Sequence, residues 1–466
     1  EIVVDMGSAL SCKRSFDGTD PPEAKRRRHE APQKALEPKE PAAYRAYLEV
    51  NEITFHDADA PLPCMSFDEA PFPKMLTKLL IAQPDFKVPS PVQAVVWPLA
   101  VSGRDVLAMS KTGSGKTLAY LLPVLTRCLR EKEESDGSPM CLIMVPTREL
   151  AIQVRSEALK FGVALDCRAV ALYGGVPKSS QASELQRGCE IIVATPGRLN
   201  DMLGTYRNGK ASTNLKQCSM LVLDEADRML DMGFEQEIRS IVSEMATHQT
   251  LLYSATWLPE VDAIARDLLT GPVAKVTVGH AEKLMANKSV TQHVHVVQWE
   301  HKVSALLQLL ATFRPGGTDA GKRVLVFATT KAAVKWISKH CQDHGFCMEM
   351  LSGDCAQSQR ESVITRFREG SLTMVIATDI CGRGLDIGGI GRVINYDFPG
   401  PVDYIHRIGR TGRAGTTGRA DLLFTKYDKL HARELIRILG DAGQVVPEAL
   451  AKFSGKLTTF HDSDSE

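Results

Sequence analysis

The residues able to do chemistry concentrate in two short runs. Asp224-Glu225-Ala226-Asp227 follows directly on the apolar run 220–223, so three carboxylates close what reads as a buried strand. Like charges this crowded raise one another's pKa and repel unless a proton or a cation intervenes. A hard cation such as Mg²⁺, held through oxygen ligands, is the natural compensation; the plain alternative is an acidic helical turn in solvent. The second run is Ser110-Lys111-Thr112-Gly113-Ser114-Gly115-Lys116-Thr117, set between a strand pattern at 106–109 and an apolar helical run at 118–125. That is the context of a phosphate loop. Glycines let successive backbone N–H groups point at phosphate oxygens, and the helix N-terminus adds positive potential. Lys116 would reach the β- and γ-phosphates and Thr117 would ligate Mg²⁺, while Ser110 stands where the strict pattern has glycine. Together the runs describe one nucleotide site. Asp224, at the end of a neighbouring strand, would hold the same Mg²⁺, and Glu225 would orient or deprotonate the attacking water.

Positioning these groups requires a sheet. Strand patterns at 106–109, 141–145, 169–173, 190–194, 220–223 and 250–253 alternate with amphipathic segments such as 149–161 and 235–245. Strands alternating with helices imply a parallel sheet covered on both faces. A less patterned stretch, 271–291, reads as a connection. A second series then follows at 323–327, 348–351, 374–377, 393–396 and 420–424. The expectation is two tandem α/β domains at 46–275 and 293–440, joined by a linker at 276–292. A disordered basic tail at 1–45 precedes them and a tail at 441–466 follows.

At 466 residues and 44% hydrophobic composition the chain can bury real cores. No apolar run approaches the roughly 18 residues of a membrane span, so no membrane partner is expected. The chain begins at Glu1, with no apolar leader, which reads as numbering from a fragment or a conceptual gene product. Lys plus Arg and Asp plus Glu balance at 56 each, which leaves room only for a local basic channel. Eleven cysteines are scattered without a C-x-x-C pair, favouring a reducing compartment and arguing against zinc. Lys13-Arg14, a ten-residue spacer and Lys25-Arg26-Arg27-Arg28 have the spacing of a bipartite nuclear import signal.

From about residue 60 to about residue 440 the chain resembles the DEAD-box RNA helicases of superfamily 2, with the family's motifs in order. Phe86-Lys87-Val88-Pro89-Ser90-Pro91-Val92-Gln93 is similar to the adenine-reading Q motif; Phe67 matches the upstream aromatic, and Asp85 replaces the usual glycine. Pro146-Thr147-Arg148-Glu149-Leu150, Gly174-Gly175 and Thr195-Pro196-Gly197-Arg198 follow. The resemblance implies that Pro146, Arg148, Gly175, Thr195 and Arg198 grip an RNA sugar-phosphate backbone. Ser254-Ala255-Thr256 matches the motif that couples hydrolysis to strand separation, with Asp227 as part of the link between domains. Trp257 after it is typical of a nuclear branch active in ribosome biogenesis and messenger processing.

In the second half Thr329, Gly353, Gln357, Arg360 and Thr378 match further RNA contacts, and Asp386 a ribose contact. In motif V, Cys381 and Gly382 stand where small residues such as Ala or Ser are usual, so size is kept. His406-Arg407-Ile408-Gly409-Arg410-Thr411-Gly412-Arg413 matches motif VI, with Arg410 and Arg413 as arginine fingers and His406 coupled to the acidic run. The resemblance implies two RecA-like domains and an ATP- and Mg²⁺-dependent RNA helicase acting as a monomeric catalytic unit. It would bind RNA with little sequence preference, work with protein or ribonucleoprotein partners, and reside in the nucleus, the nucleolus included. The alternative is an RNA clamp with little turnover; a DNA translocase is disfavoured.

Overall fold

The computed structural model describes residues 41–454 apart from 57–60, 85, 112, 133–136, 205–211, 258, 270, 280–285, 288, 380–388 and 413–415. The described residues from Ala42 onward cluster as one compact unit built on two sheets. The first contains β1 (Ile53–Phe55), β2 (Asp105–Ser110), β3 (Cys141–Met144), β4 (Ala169–Leu172), β5 (Ile191–Ala194), β6 (Met220–Leu223), β7 (Gln249–Ser254) and β8 (Val273–Val278). Their order is β1-β8-β2-β7-β6-β3-β5-β4, parallel throughout except for β1 against β8. The second contains β9 (Val290–Val296), β10 (Arg323–Phe327), β11 (Met348–Leu351), β12 (Met374–Ala377), β13 (Ile390–Asn395) and β14 (Gly418–Phe424). Its order is β11-β12-β10-β13-β14-β9, all parallel.

Near-continuous apolar strands are what a sheet covered on both faces demands, and side-chain alternation divides them between two cores. Val106 and Ala108 enter one cluster with Ile143 and Val222, while Leu107 enters the other with Leu142 and Leu221. The second sheet repeats the rule: Val324 and Val326 lie on one side, Leu325 and Phe327 on the other. The helix Pro91–Val101 lies against the helix Lys116–Glu131, and the buried indole of Trp97 donates to the Leu118 carbonyl at 3.1 Å. That contact holds the start of the phosphate-loop helix in place.

Three expected boundaries move. The linker at 276–292 is paired at both ends, because β8 runs to Val278 and β9 begins at Val290. Helix Pro41–Val50 begins inside the tail expected at 1–45. The tail expected at 441–466 carries the helix Glu448–Ala451, whose Leu450 is fully buried with Phe453 packed against the same cluster. In each case a short segment gains order from tertiary burial rather than from its own pattern.

Candidate active site

In parallel α/β sheets ligands gather at the carboxyl ends of the strands, where the connecting loops face one way. Here β2, β7 and β6 are neighbours, so the loops after them meet: 110–117, 254–256 and 224–227. Ser110 ends β2 fully buried, and its hydroxyl lies 3.0 Å from that of Ser114. This bond closes the loop at the position where the strict pattern has glycine. Lys116 opens the helix, buried, with Nζ donating to the Ser110 carbonyl at 3.1 Å. Gly115 adopts φ 94°, a left-handed conformation that L side chains rarely take. A Cβ there would also stand 2.7 Å from Gln93 Nε2. Gln93 itself donates to the Gly115 carbonyl at 3.0 Å and accepts from Ser90 N–H at 2.9 Å. Lys111 and Gly113 are exposed and Thr117 is half-buried, whereas Thr112 lies outside the described residues.

Asp224 is buried, accepting from the Tyr120 hydroxyl at 3.0 Å and from Glu225 N–H at 2.9 Å. Burial pushes its carboxyl up to about 6; the Lys116 charge opposes the shift and the Glu225 charge adds to it. Tyr120 lies one turn beyond Lys116 and has a hydrogen-bonding contact with Thr117 as well as with Asp224. The donor set is therefore oxygen-based, carboxylate plus hydroxyl, as a hard cation requires. Among the described residues no three His, Cys, Asp or Glu side chains converge as a metal site. Glu225 stands at φ 53°.

Asp227 is almost fully buried and saturated. One oxygen accepts from Ala255 N–H at 3.2 Å, Thr256 N–H at 2.9 Å and the Thr256 hydroxyl at 2.8 Å; the other accepts from Arg228 N–H at 3.0 Å. The Ser254 hydroxyl donates to the Thr256 carbonyl at 2.7 Å and shapes the same turn. Burial alone would raise the Asp227 pKa, but the charges of His406 and Lys116 and the Thr256 hydrogen bond hold it below the usual range. His406 lies in the last turn of the helix Pro401–Ile408 in the second half of the chain, so the charge that lowers the Asp227 pKa comes from across the two halves. Arg410 is buried, its Nε donating to the His406 carbonyl at 3.3 Å. Arg413 and Asp386 lie outside the described residues.

The loops after β3, β4 and β5 form the other half of this edge. Pro146 is buried, Arg148 half-buried and Gly175 exposed, and a Cβ on Gly175 would collide with the Arg148 guanidinium. Thr195 is buried, with its N–H on the Leu172 carbonyl at 2.9 Å. In the second sheet Thr329, Gly353 and Thr378 follow β10, β11 and β12. Thr329 donates N–H and hydroxyl to Asp397, at 3.2 and 3.1 Å, and Asp397 also accepts from buried Lys302 at 2.7 Å.

Residues 90–264 match the family model described as DEAD/DEAH box helicase, and residues 301–415 match that of the Helicase conserved C-terminal domain. The chain is 44% identical over 406 residues to the ATP-dependent RNA helicase DBP2 of Candida glabrata, an alignment covering 86% of this chain and 73% of that one. The chain belongs to the DEAD-box RNA helicase family. To DEAD-box ATP-dependent RNA helicase 14 of Arabidopsis thaliana this DEAD-box chain is 45% identical, over 88% of its own length but 64% of that relative's. It thus spans less than two thirds of the plant protein. Its fold matches that of S. cerevisiae Dbp5 bound to RNA and ADP BeF3, with TM-score 0.71 and 26% identity over 84% of this chain and 99% of the other.

Three residues of the DEAD-box motifs lie deeper than the contacts expected of them. Phe67 is a core residue, its ring centroid 6.3 Å from that of Trp97, which leaves half-buried Phe86 as the ring open to a base. Arg198 is buried, donating to Gln181 at 2.7 Å and to the Val176 carbonyl at 3.0 Å, so it braces the loop containing Gly175. Arg360 is also buried, in an ion pair with Glu149 of the helix Arg148–Gly162 in the first half, so its charge ties the halves together. Sequence spacing gives no sign of a partner 211 residues away. Gln357, one turn earlier, donates to Glu361 at 3.0 Å, and its carbonyl oxygen is buried without a partner among the described residues.

Tyr120 and Asp397 stand outside the motifs, and Glu149 inside one carries no expected role. The available signal for Tyr120 was its place four residues after Lys116, on the same face of the helix.

Proposed function

We propose that this chain is an ATP-dependent RNA helicase that separates short RNA duplexes or remodels ribonucleoproteins, with an ATP site completed by both sheets. The observation that carries this reading is Asp227, buried and saturated by the 254–256 turn, with its carboxyl held low by the charge of His406 from the second half. ATP phosphates would lie on the 110–117 loop with Lys116, and Phe86 and Gln93 would meet the adenine. Thr117 and Asp224 would hold Mg²⁺, which would neutralise charge on the phosphates. Glu225 would take the proton of the attacking water. Arg410 and Arg413 would stabilise charge developing on the γ-phosphate, an effect worth roughly 10³–10⁵ in rate for arginine fingers. Arg148, Gly175 and Thr195, with Thr329, Gly353, Gln357 and Thr378, would bind RNA phosphate and 2′-hydroxyl groups, which carry little sequence information. RNA spanning both halves favours their approach and therefore hydrolysis, so RNA and ATP reinforce each other's binding.

The test is a strand-displacement assay on a short RNA duplex with ATP, alongside ATPase measured with and without RNA. RNA-stimulated turnover and displacement, both lost in Glu225→Gln, are expected. Intact RNA binding with no displacement would replace this reading with a clamp. Equal stimulation by duplex DNA would point to a translocase.

We further infer nuclear residence in RNA processing or ribosome assembly, supported by Lys13-Arg14, Lys25–Arg28 and Trp257. Replacing Lys25–Arg28 with alanines should leave a fluorescent fusion outside the nucleus; undiminished nuclear signal would refute the assignment.

A further inference from the structure

The helix Lys331–Asp343 begins directly after Thr329 and carries features that its packing does not use. Val334, Ile337, Ser338 and Cys341 bury its inner side. Its outer side presents Lys331, Lys335 and Lys339 at successive turns, all exposed, beside Trp336, His340 and His344 at the same spacing. The Trp336 indole is 53% exposed. It stacks on His340 with centroids 5.4 Å apart and planes 16° apart, and His340 meets His344 at 4.6 Å. Exposed tryptophan at the end of a ring ladder, rimmed by cations, is not a packing requirement of this helix.

Two observations indicate what it takes. Lys331 Nζ pairs with Asp354 at 2.7 Å, and a Cβ on Gly353 would lie 3.2 Å from Lys331 Cε. The stripe therefore starts at the loop ends proposed to hold RNA and runs outward along thirteen residues, about 20 Å at about 1.5 Å per residue. Lys335 and Lys339 have no acidic partner among the described residues; the acids at the margins are Asp343 and Asp354. Flat rings interleaved with unpaired cations are how proteins hold single strands without reading sequence: bases stack on rings and phosphates meet lysines.

We propose that this face is an auxiliary site for single-stranded RNA, extending the path that leaves Thr329 and Gly353. The proposal rests on the reading of those loop ends as an RNA surface. A bound strand would run beyond the core site, with a base on the free face of Trp336 and phosphates at Lys335 and Lys339. Affinity would then grow with strand length past the core footprint, although sequence preference would not.

Fluorescence anisotropy with a graded series of oligouridines, at saturating non-hydrolysable ATP analogue, tests this. Trp336→Ala and Lys335→Gln/Lys339→Gln should bind the shortest strands as wild type does and lose about tenfold for long strands. Trp336→Phe should restore most of that loss. The double lysine variant should lower the salt dependence of long-strand binding by about 1.4 in log–log slope, at about 0.7 per phosphate contact. ATPase stimulated by short strands should not change. Unchanged long-strand affinity, or equal loss at every length, overturns the proposal. If long strands are unaffected and a polyglutamate probe loses binding in both variants, the face takes an acidic protein segment instead. Wild-type affinity that is independent of length refutes this site alone; wild type binding no oligouridine refutes the core RNA surface as well.

Discussion

Glu225 occupies φ 53°, ψ 51°, where a side chain other than glycine or asparagine is strained. Strain persists where the surroundings over-determine it, and it gathers at functional positions. Here β6 delivers Asp224 inward and the helix Ala226–Asp231 fixes Asp227 on the 254–256 turn, leaving Glu225 to turn the corner between them. Glu225→Asn supplies a residue at ease in this conformation and removes the carboxylate. Thermal unfolding should show stability unchanged or raised by up to about 1 kcal/mol. ATP turnover should fall by about 10²–10⁴, the range for loss of a general base. A destabilised variant with turnover intact would make Glu225 structural. Gly175 offers a second residue-scale test, since its φ of 90° and the Arg148 guanidinium both exclude a side chain. Gly175→Ala should displace Arg148 and raise the RNA concentration needed for half-maximal ATPase, leaving turnover without RNA unaltered. An unchanged RNA requirement would remove Arg148 from the RNA surface.

Among the elements, β9 shows what a sequence pattern hides. Its residues alternate in burial, but one inward position is Gln292, buried and accepting from the Tyr404 hydroxyl at 3.0 Å. A polar residue inside the sheet conceals the alternation that marks a strand, so the strand's first residues, 290–292, read as linker. The strand is tied further by Asp421 of β14, which accepts from His295 at 2.8 Å and from Arg392 of β13 at 2.5 Å. Burial would raise the Asp421 pKa, but hydrogen bonds from His295 and Arg392 and the charges of Arg392 and Arg419 carry it well below the usual carboxylate range. A depressed folded pKa gives stability that is complete above the unfolded value, about 3.9, and lost as pH falls through the folded one. Asp421→Asn removes the nearer of two carboxylates on buried Arg392 and leaves Asp319 at 3.2 Å, so the loss should reach at most the about 3–5 kcal/mol that breaking a buried pair costs. Denaturant unfolding should show that deficit at neutral pH and its progressive closure below about pH 4. A deficit independent of pH would assign the loss to packing. The central strands were legible because each is apolar throughout and buried on both faces. Order at 41–50 and 448–451 was not, since those helices are too short to announce themselves without the surfaces that receive them.

For the molecule as a whole, the decisive contacts join distant halves of the chain. Resemblance to the family implied that His406 couples to the acidic run 224–227. It could not indicate that Arg360 would be buried against Glu149, because a basic residue at the start of a helix is ordinarily solvated. That ion pair and the His406–Asp227 coupling bracket the edge where ATP and RNA are proposed to meet. Buried ion pairs add little stability relative to apolar packing, yet losing one partner is costly and favours separation of the surfaces that bury it. Arg360→Ala should therefore leave RNA binding without nucleotide nearly unchanged while reducing the gain in RNA affinity produced by a non-hydrolysable ATP analogue. Typical couplings between two sites are about 5–150-fold, so a loss of fivefold or more is readily measured. Glu149→Gln should reduce the same factor. The double variant should fall no further than the worse single one, giving an interaction energy of about 0.5–3 kcal/mol in a double-mutant cycle on the coupling. Additive losses, or a loss of RNA affinity already present without nucleotide, would show that Arg360 contacts RNA directly, as its motif position first implied. The cycle thus separates a residue that touches RNA from one that makes RNA and ATP reinforce each other.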